Sequence, residues 1–406
     1  MAAQSSTDNL LPPMLGPPAG WPDPDPAAQQ LSALLAGRIR EEIERDSGAL
    51  DFSRFMELAL YAPGLGYYSA GLSKFGAAGD FVTAPEISPL FSRCVARCCR
   101  SVLADLADGD ILELGAGSGI MAADVLAELA QLEQLPKRYF VLEPSADLRE
   151  RQHDTISRRV PKLISRVQWL DTTPEPGFAG VILANEVIDA LPVHRFRWDD
   201  DSIWEMKVVC RDAGFDWKPV RLKNGRLYDA VEKLIRQLKL EGGYSSEINI
   251  NLGPWMTAVA GPLTQGMVLF IDYGYPRAEY YHPQRSTGTL LCHYRHRVHD
   301  NPFILPGLQD ITAHVDFTAV LGAAQELGLD LIGFTNQTHF LFDAGLQEMF
   351  AEEEPAADRH YLDLTRQIKT LTLPGEMGER FKCMALGRGI DATPPGFRGH
   401  DLRRVL

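Results

Sequence analysis

Three glycines stand at alternate positions in DILELGAGSGIMAADVL, residues 110–126. Gly115, Gly117 and Gly119 follow an apolar run that holds one acid, Glu113. Glycine at every second position makes a poor strand and a worse helix. This backbone must therefore turn tightly or be approached closely. A strand, a glycine-rich turn and a helix form the general nucleotide-binding arrangement, with free amides at the helix N-terminus. The dinucleotide fingerprint G-x-G-x-x-G, however, needs its third glycine where Ile120 stands. A second apolar run ends in Glu143, 28 residues after Gly115 and just before Pro144. That is near the distance expected of a carboxylate that accepts hydrogen bonds from ribose hydroxyls, a task suited to a group with acceptors only. A further apolar run, ILANEVIDALPVHRF, turns polar at its end with Asn185, Glu186 and Asp189. Acids there suit a cationic or amino ligand. A guanidinium, with a pKa above about 12, is a poor nucleophile while charged. Carboxylates can orient it, localise its charge and accept a proton.

Such residues need a scaffold, and the texture of the chain from residue 110 supplies one. Strand-like DILELG, RYFVLEPS, VQWLD and GVILANEV alternate with helix-like IMAADVLAELAQLE and ADLRERQHDTISRRV. This alternation predicts a doubly wound α/β sheet with helices on both faces. Two interruptions are expected to be insertions. One, about 192–264, reads as a small antiparallel piece with a helix near 227–240; the other, 274–314, reads as a glycine- and histidine-rich loop. Both leave from the C-terminal edge of the sheet, where ligands sit in open α/β folds. Residues 27–108 read as an N-terminal helical cap, 109–390 as the main domain and 391–406 as a tail. The proline-rich residues 1–26 read as a disordered lead-in.

Bulk composition narrows the function. The net charge of −14, from 40 basic and 54 acidic residues, argues against general affinity for nucleic acid or anionic membrane. No apolar run reaches the roughly 18 residues that span a bilayer. The acidic, lysine- and arginine-free start fits neither a secretory signal nor a mitochondrial transit peptide, which leads us to expect a bacterial cytoplasmic protein. The six cysteines include no C-x-x-C pair, so neither a zinc site nor a disulfide framework is expected. His282, His293, His296, His299 and His314 crowd one region without metal-ligand spacing. His314, close to Asp310 and Asp316, is a candidate general base near neutral pH.

The E-x-G-x-G-x-G spacing resembles motif I of class I S-adenosylmethionine-dependent methyltransferases, in which the turn faces an amino-acid moiety rather than a pyrophosphate. With it stand GDFVTAPEISPLFS (79–92), ANEVIDALPVHRF (184–196), IDYGYPRAEYYHPQRSTGTLLCHYRH (271–296) and PGLQDITAHVDFT (306–318). Together these resemble the MidA-like family, a bacterial and mitochondrial methyltransferase group whose mitochondrial members assist respiratory complex I assembly. The resemblance implies a class I methyltransferase (Rossmann-like) fold and S-adenosylmethionine as donor. It also implies a protein arginine as acceptor, with a complex I subunit as the partner suggested by the mitochondrial members. Matched position by position, Gly115, Ala116, Gly117 and Gly119 form the donor loop, and Glu143 with Pro144 the ribose site. Trp169 and Asp171 are placed to hold adenine, and Asn185 also faces the donor. Gly79, Asp80, Thr83, Pro85 and Glu86 belong to a loop that folds over it. Glu186 and Asp189 grip the acceptor, and the match also takes in Asp272, Tyr273, Thr289 and Asp310. Two other readings stay open on the residues alone: an assembly scaffold that keeps a donor pocket, and a small-molecule N-methyltransferase.

Overall fold

The computed structural model describes residues 17–406 except 19, 71–81, 213 and 353–357. Its centre is a sheet whose inner strands are buried on both faces. The first is β1 (Asp110–Leu114), followed by β2 (Tyr139–Leu142), β3 (Val167–Leu170) and β4 (Phe178–Asn185). The first insertion carries β5 (His194–Asp199), β6 (Ser202–Arg211), β7 (Gly214–Arg221) and β8 (Tyr244–Ile248). The sheet resumes with β9 (Leu263–Tyr275). The second insertion holds β10 (Leu291–Tyr294), β11 (Arg297–His299) and β12 (Asp310–Thr312). After β13 (Val315–Asp316) come β14 (Asp330–Asn336) and β15 (Phe381–Arg388).

Across the main sheet the order is β14-β15-β9-β4-β1-β2-β3, with β13 paired to β9. β15 runs antiparallel to both neighbours, while the pairs among β9, β4, β1, β2 and β3 are parallel. The chain winds outward from β1 through β2 to β3, then returns to β4 on the other side of β1. That reversal opens a crevice beyond the C-terminal ends of β1 and β4, the usual place for a ligand. The order also departs from the dinucleotide-binding 3-2-1-4-5-6 pattern, because a last strand enters antiparallel between the two before it. Consecutive strand residues serve opposite layers. Ile111, Val181 and Leu269 join one core, and their neighbours Leu112, Ile182 and Val268 join the other.

The helices are α1 (Pro26–Arg45), α2 (Phe52–Tyr61), α3 (Ala84–Ile87) and α4 (Pro89–Ala104). Then come α5 (Ile120–Gln131), α6 (Ala146–Arg159), α7 (Arg226–Leu238), α8 (Leu252–Ala260), α9 (Arg277–Tyr280) and α10 (Phe317–Glu326). α4 packs with α5 in the sheet's own core, so it is part of the sheet layer and not of the expected helical cap. α1 and α2 share a separate core with both insertions, through Ile39, Phe55, Val208, Cys292 and Ile311. The cap is thus three segments distant in sequence, folded as one body over the sheet's C-terminal edge.

Two sequence expectations need correction. The segment 274–314 is no loop: β11-β10-β12 form a three-stranded sheet. Its hairpin turns on Arg295 and His296, with φ +46° and +60°. Two left-handed residues are what the tight hairpin twist demands, usually met by Asn-Gly, so the customary signal is missing. Asp200 and Asp201 turn the β5–β6 hairpin in the same way, at φ +47° and +53°, which gives the local acid run a conformational task. Nor is the described end of the lead-in loose. The Trp21 ring lies 6.2 Å from that of Tyr294, the Tyr294 hydroxyl donates to the Pro22 carbonyl, and Asp25 caps α1. Among the described residues no helix is long and apolar enough to cross a membrane.

Candidate active site

A cavity of about 550 Å³ occupies the crevice beyond β1 and β4. The sequence-predicted residues Thr83, Pro85, Glu86, Gly115, Ala116, Gly117, Glu143, Pro144, Asn185, Glu186, Asp189 and His314 all line it. Gly119, Trp169 and Asp171 do not, and Gly79 and Asp80 lie outside the described residues.

At one end the backbone leaves β1 through Gly115 at φ +62° and Gly117 at φ +53°. Gly119, at φ +82°, starts α5. A β-carbon on Gly119 would stand 2.9 Å from the Gln152 α-carbon. The third glycine therefore makes room for α6, not for a ligand. Gln152 is wholly buried and ties this end together. Its Nε2 donates to the Gly117 carbonyl and to Glu143 Oε2, each at 3.1 Å, while its Oε1 accepts from Trp169 Nε1 at 2.9 Å. Glu143, 4% exposed, also accepts from the Ser145 amide at 3.0 Å. Both of its carboxylate oxygens are thus engaged by the protein, and the residue lines the cavity. Trp169 is turned to Gln152, and Asp171 is exposed and paired with Arg149 at 2.8 Å. Neither lines this cavity. The Ser118 hydroxyl donates to Glu86, which joins α3 to the glycine turn. Glu113 receives the Tyr139 hydroxyl at 2.6 Å, and burial raises its carboxyl to about 7.

The other end is built on the tip of β4. Glu186 adopts φ +54°, an uncommon conformation for a residue with a side chain. Its amide donates to the Ile271 carbonyl at 2.8 Å. The turn that follows is gathered around one buried carboxylate from β9. Asp272 Oδ2 accepts from the amides of Val187, Ile188 and Asp189 at 3.2, 2.9 and 3.2 Å. Burial, with Asp189 and Glu186 nearby, pushes the Asp272 carboxyl up against the pull of these amides. Burial likewise raises Glu186 to about 8, with Asp189 adding to the shift, while Asn185 and the Ala84 amide oppose it. Burial raises Asp189 to about 6, opposed chiefly by the Tyr273 hydroxyl, which donates to Oδ2. Asp189 Oδ1 and Asn185 Oδ1 are buried without a hydrogen-bond partner. Buried polar atoms in that state point to a partner still to come.

Aromatic rings wall this end. Tyr61 and Tyr68 stack at 5.5 Å. The Tyr61 hydroxyl donates to the Ala190 carbonyl, and that of Tyr68 to Asp310, both at 3.0 Å. His314 lies parallel to Tyr275 at 5.4 Å, with Tyr273 edge-on at 5.1 Å. Burial lowers its pKa to about 4. It is therefore neutral at pH 7 and a poor proton store, which weakens the general-base expectation. Six carboxyls face the cavity (Glu86, Glu113, Glu143, Glu186, Asp189, Asp310) against three bases, His293, His314 and Arg380. An arrangement of that balance favours cationic contents. Sequence reading missed Gln152, Tyr61 and Tyr68. Only Gln152 left a trace, as the polar member of the inward stripe Leu148, Gln152, Ile156.

Asp51, His194 and Glu205 also bring possible metal-ligand atoms within 4.8 Å of one another. There the Lys207 ammonium already lies 2.5 Å from Asp51, and the two His194 nitrogens face Ser53 and Glu205.

Comparison with known proteins agrees with this geometry. Residues 94–335 match the family model of S-adenosyl-L-methionine-dependent methyltransferases to which the MidA-like proteins belong. A crystal structure from Burkholderia thailandensis, bound to S-adenosyl-homocysteine, is 41% identical; the match covers 95% of this chain and all of that one with a TM-score of 0.91. A native structure from the same organism is 40% identical, with a TM-score of 0.88. Among curated proteins, the mitochondrial protein arginine methyltransferase NDUFAF7 homolog of Drosophila melanogaster is 28% identical over 94% of this chain and 91% of its own length. The human mitochondrial protein arginine methyltransferase NDUFAF7 is 27% identical over 84% and 81%. A sheet order with its last strand antiparallel, a cavity at the winding reversal and relatives of near-equal length converge on one conclusion: the chain belongs to the S-adenosyl-L-methionine-dependent methyltransferase family and takes S-adenosyl-L-methionine as its methyl donor.

Proposed function

We propose that this methyltransferase modifies arginine side chains of a protein partner. In this reading the glycine end of the cavity receives the donor. Gly115, Ala116 and Gly117 offer backbone to its amino-acid moiety, and Glu143, steadied by Gln152, accepts the ribose hydroxyls. Asn185 Oδ1 is free for a donor amine, and Thr83, Pro85 and Glu86 cover the bound molecule. When bound, the donor supplies a methyl group already activated by its sulfonium.

The protein then has to place and deprotonate an acceptor. Asp189 has one carboxylate oxygen fixed by Tyr273 and the other without a partner. This half-occupied buried carboxylate, beside Glu186 and within the same tyrosine-walled end, is the observation that carries the reading. A guanidinium brings several donors in a planar fork, which suits carboxylates better than a hydroxyl or thiol acceptor would. Glu186 and Asp189, raised toward neutrality, are the groups to take the proton as the nitrogen is alkylated. The protein arginine methyltransferases among the relatives support the same choice of acceptor. A respiratory complex I subunit is one candidate partner, and the cytoplasm the proposed site of action.

The test is to incubate the protein with isotopically labelled S-adenosylmethionine and lysate of a strain lacking its gene, then locate the label by mass spectrometry. Methylated arginine in a protein is expected. Label found only on lysine or on a metabolite overturns the proposal.

A further inference from the structure

A second cavity, of about 480 Å³, lies against the first, and His314 lines both. Ala313, the residue before it, faces only the second. The outer wall is α7, with Arg226, Asp229 and Lys233, and the inner lining includes Glu247, Arg277 and Asp316. Glu247 is wholly buried. Its Oε2 accepts from the Thr289 amide at 2.7 Å, while Oε1 has no hydrogen-bond partner and lies 3.8 Å from Arg195 Nε. Asp316 holds Arg277 at 2.9 Å. Three acids and three permanent cations face the space beside His314, a near-neutral balance that suits the mixed polarity of a polypeptide.

The first cavity has the size of a site for one small molecule. Once the donor fills its glycine end, only a side chain of a protein acceptor fits beside it. The chain that bears the side chain must lie elsewhere. Methyl transfer also requires nucleophile, methyl carbon and leaving sulfur in line, so donor and acceptor approach from opposite sides. α3 reaches both ends, with Glu86 accepting from Ser118 of the glycine turn and the Ala84 amide meeting Glu186, and Tyr273 links Asp189 of the acid end to His314. The partition is lightly held. Apart from ring contacts, the His314 ring has one long hydrogen bond, Nδ1 to the Thr289 carbonyl at 3.4 Å. A neutral ring can swing without carrying charge through a buried space.

We infer that the second cavity receives the polypeptide segment flanking the methylated residue, and that the acceptor side chain crosses into the first cavity at Ala313–His314. This rests on the proposal that the acceptor is a protein. Two small lining residues outside the catalytic end allow the space to be filled: Ala230 on α7 and Ala319 on α10. The full-length A230W and A319W variants are given labelled donor and the gene-deficient lysate, and label in precipitated protein is counted. S-adenosyl-homocysteine affinity is measured in parallel by calorimetry. At least a ten-fold fall in protein labelling, with donor-product affinity within twofold of wild type, is expected. A smaller fall in either folded variant overturns the inference. Ala230 sits on the outer helix, so A230W keeps the test decisive should A319W not fold. The wild-type reaction separately decides the protein-acceptor reading: label confined to a metabolite rejects that reading, whereas protein labelled equally by wild type and variants rejects only the docking cleft.

Discussion

Gln152 offers the sharpest test of how the donor end is built. Gln152→Leu preserves the size of a wholly buried side chain but deletes three hydrogen bonds, to the Gly117 carbonyl, to Glu143 and from Trp169. The bond to Glu143 has a charged acceptor, and such bonds contribute roughly 1.5–3 kcal/mol. If Glu143 needs that bond to face the ribose, most of this is lost from donor affinity. At about 1.4 kcal/mol per decade, the dissociation constant rises roughly 10- to 150-fold. The other two bonds leave a carbonyl and an indole N–H wanting, for a further stability loss of roughly 1–3 kcal/mol for each that stays buried. Calorimetric titration with S-adenosyl-homocysteine reads the first effect and urea unfolding the second. The reasoning is refuted if Gln152→Leu loses stability yet binds with wild-type affinity, because Gln152 would then be packing alone and Glu143 would be oriented by other groups.

Gly119→Ala should destabilise more than Gly115→Ala. Both adopt a conformation that costs other residues roughly 1–2 kcal/mol, but only Gly119 has a backbone neighbour, Gln152, within 2.9 Å of the added carbon; denaturant midpoints rank the two. Glu186→Gln should lower methyl transfer about 100-fold or more while S-adenosyl-homocysteine binding persists, and retained transfer removes Glu186 from the acceptor site. Burial favours the protonated forms of Asp189 and Glu186 up to about pH 6 and 8. Ionised carboxylates are needed to grip a cation, so kcat/KM should rise with pH across that window and level off above it; a flat profile contradicts this. Tyr273→Phe removes the hydroxyl that holds Asp189 down, so the lower shoulder of that profile should move to higher pH.

The sheet was legible because β1 to β4 are short apolar runs separated by helices, a pattern that depends on neighbouring residues alone. The polar tips at Glu143 and Glu186 were legible for the same reason, since each ends such a run. Other features rest on contacts that a linear reading does not display. Asp272 meets residues 83 to 85 positions earlier, and nothing in IDYGY announces it as the organiser of the β4 turn. Nothing in VQWLD announces that the Trp169 indole N–H donates to Gln152, 17 residues earlier. Gly119 resembled its two companions, although its space belongs to α6. The β10–β11 hairpin reads as a loop because Arg295 and His296 adopt left-handed conformations without glycine or asparagine. The cap could not be foreseen as one body, since its core joins residues from Leu35 to Ala313.

The hold of Asp272 on Val187, Ile188 and Asp189 has a bearing on the order in which the enzyme matures. Gly115, Gly117, Glu143 and Gln152 lie within 38 residues of one another and precede both insertions. A chain emerging from the ribosome has synthesised the whole donor end well before residue 200. Glu186 and Asp189 emerge soon after, yet the carboxylate that gathers their turn comes only with β9, after the entire first insertion. Closing so long a loop is entropically expensive and kinetically late. The turn that carries Glu186 and Asp189 therefore gains its Asp272 anchor only once β9 is made, whereas Gly115, Gly117, Glu143 and Gln152 all precede it.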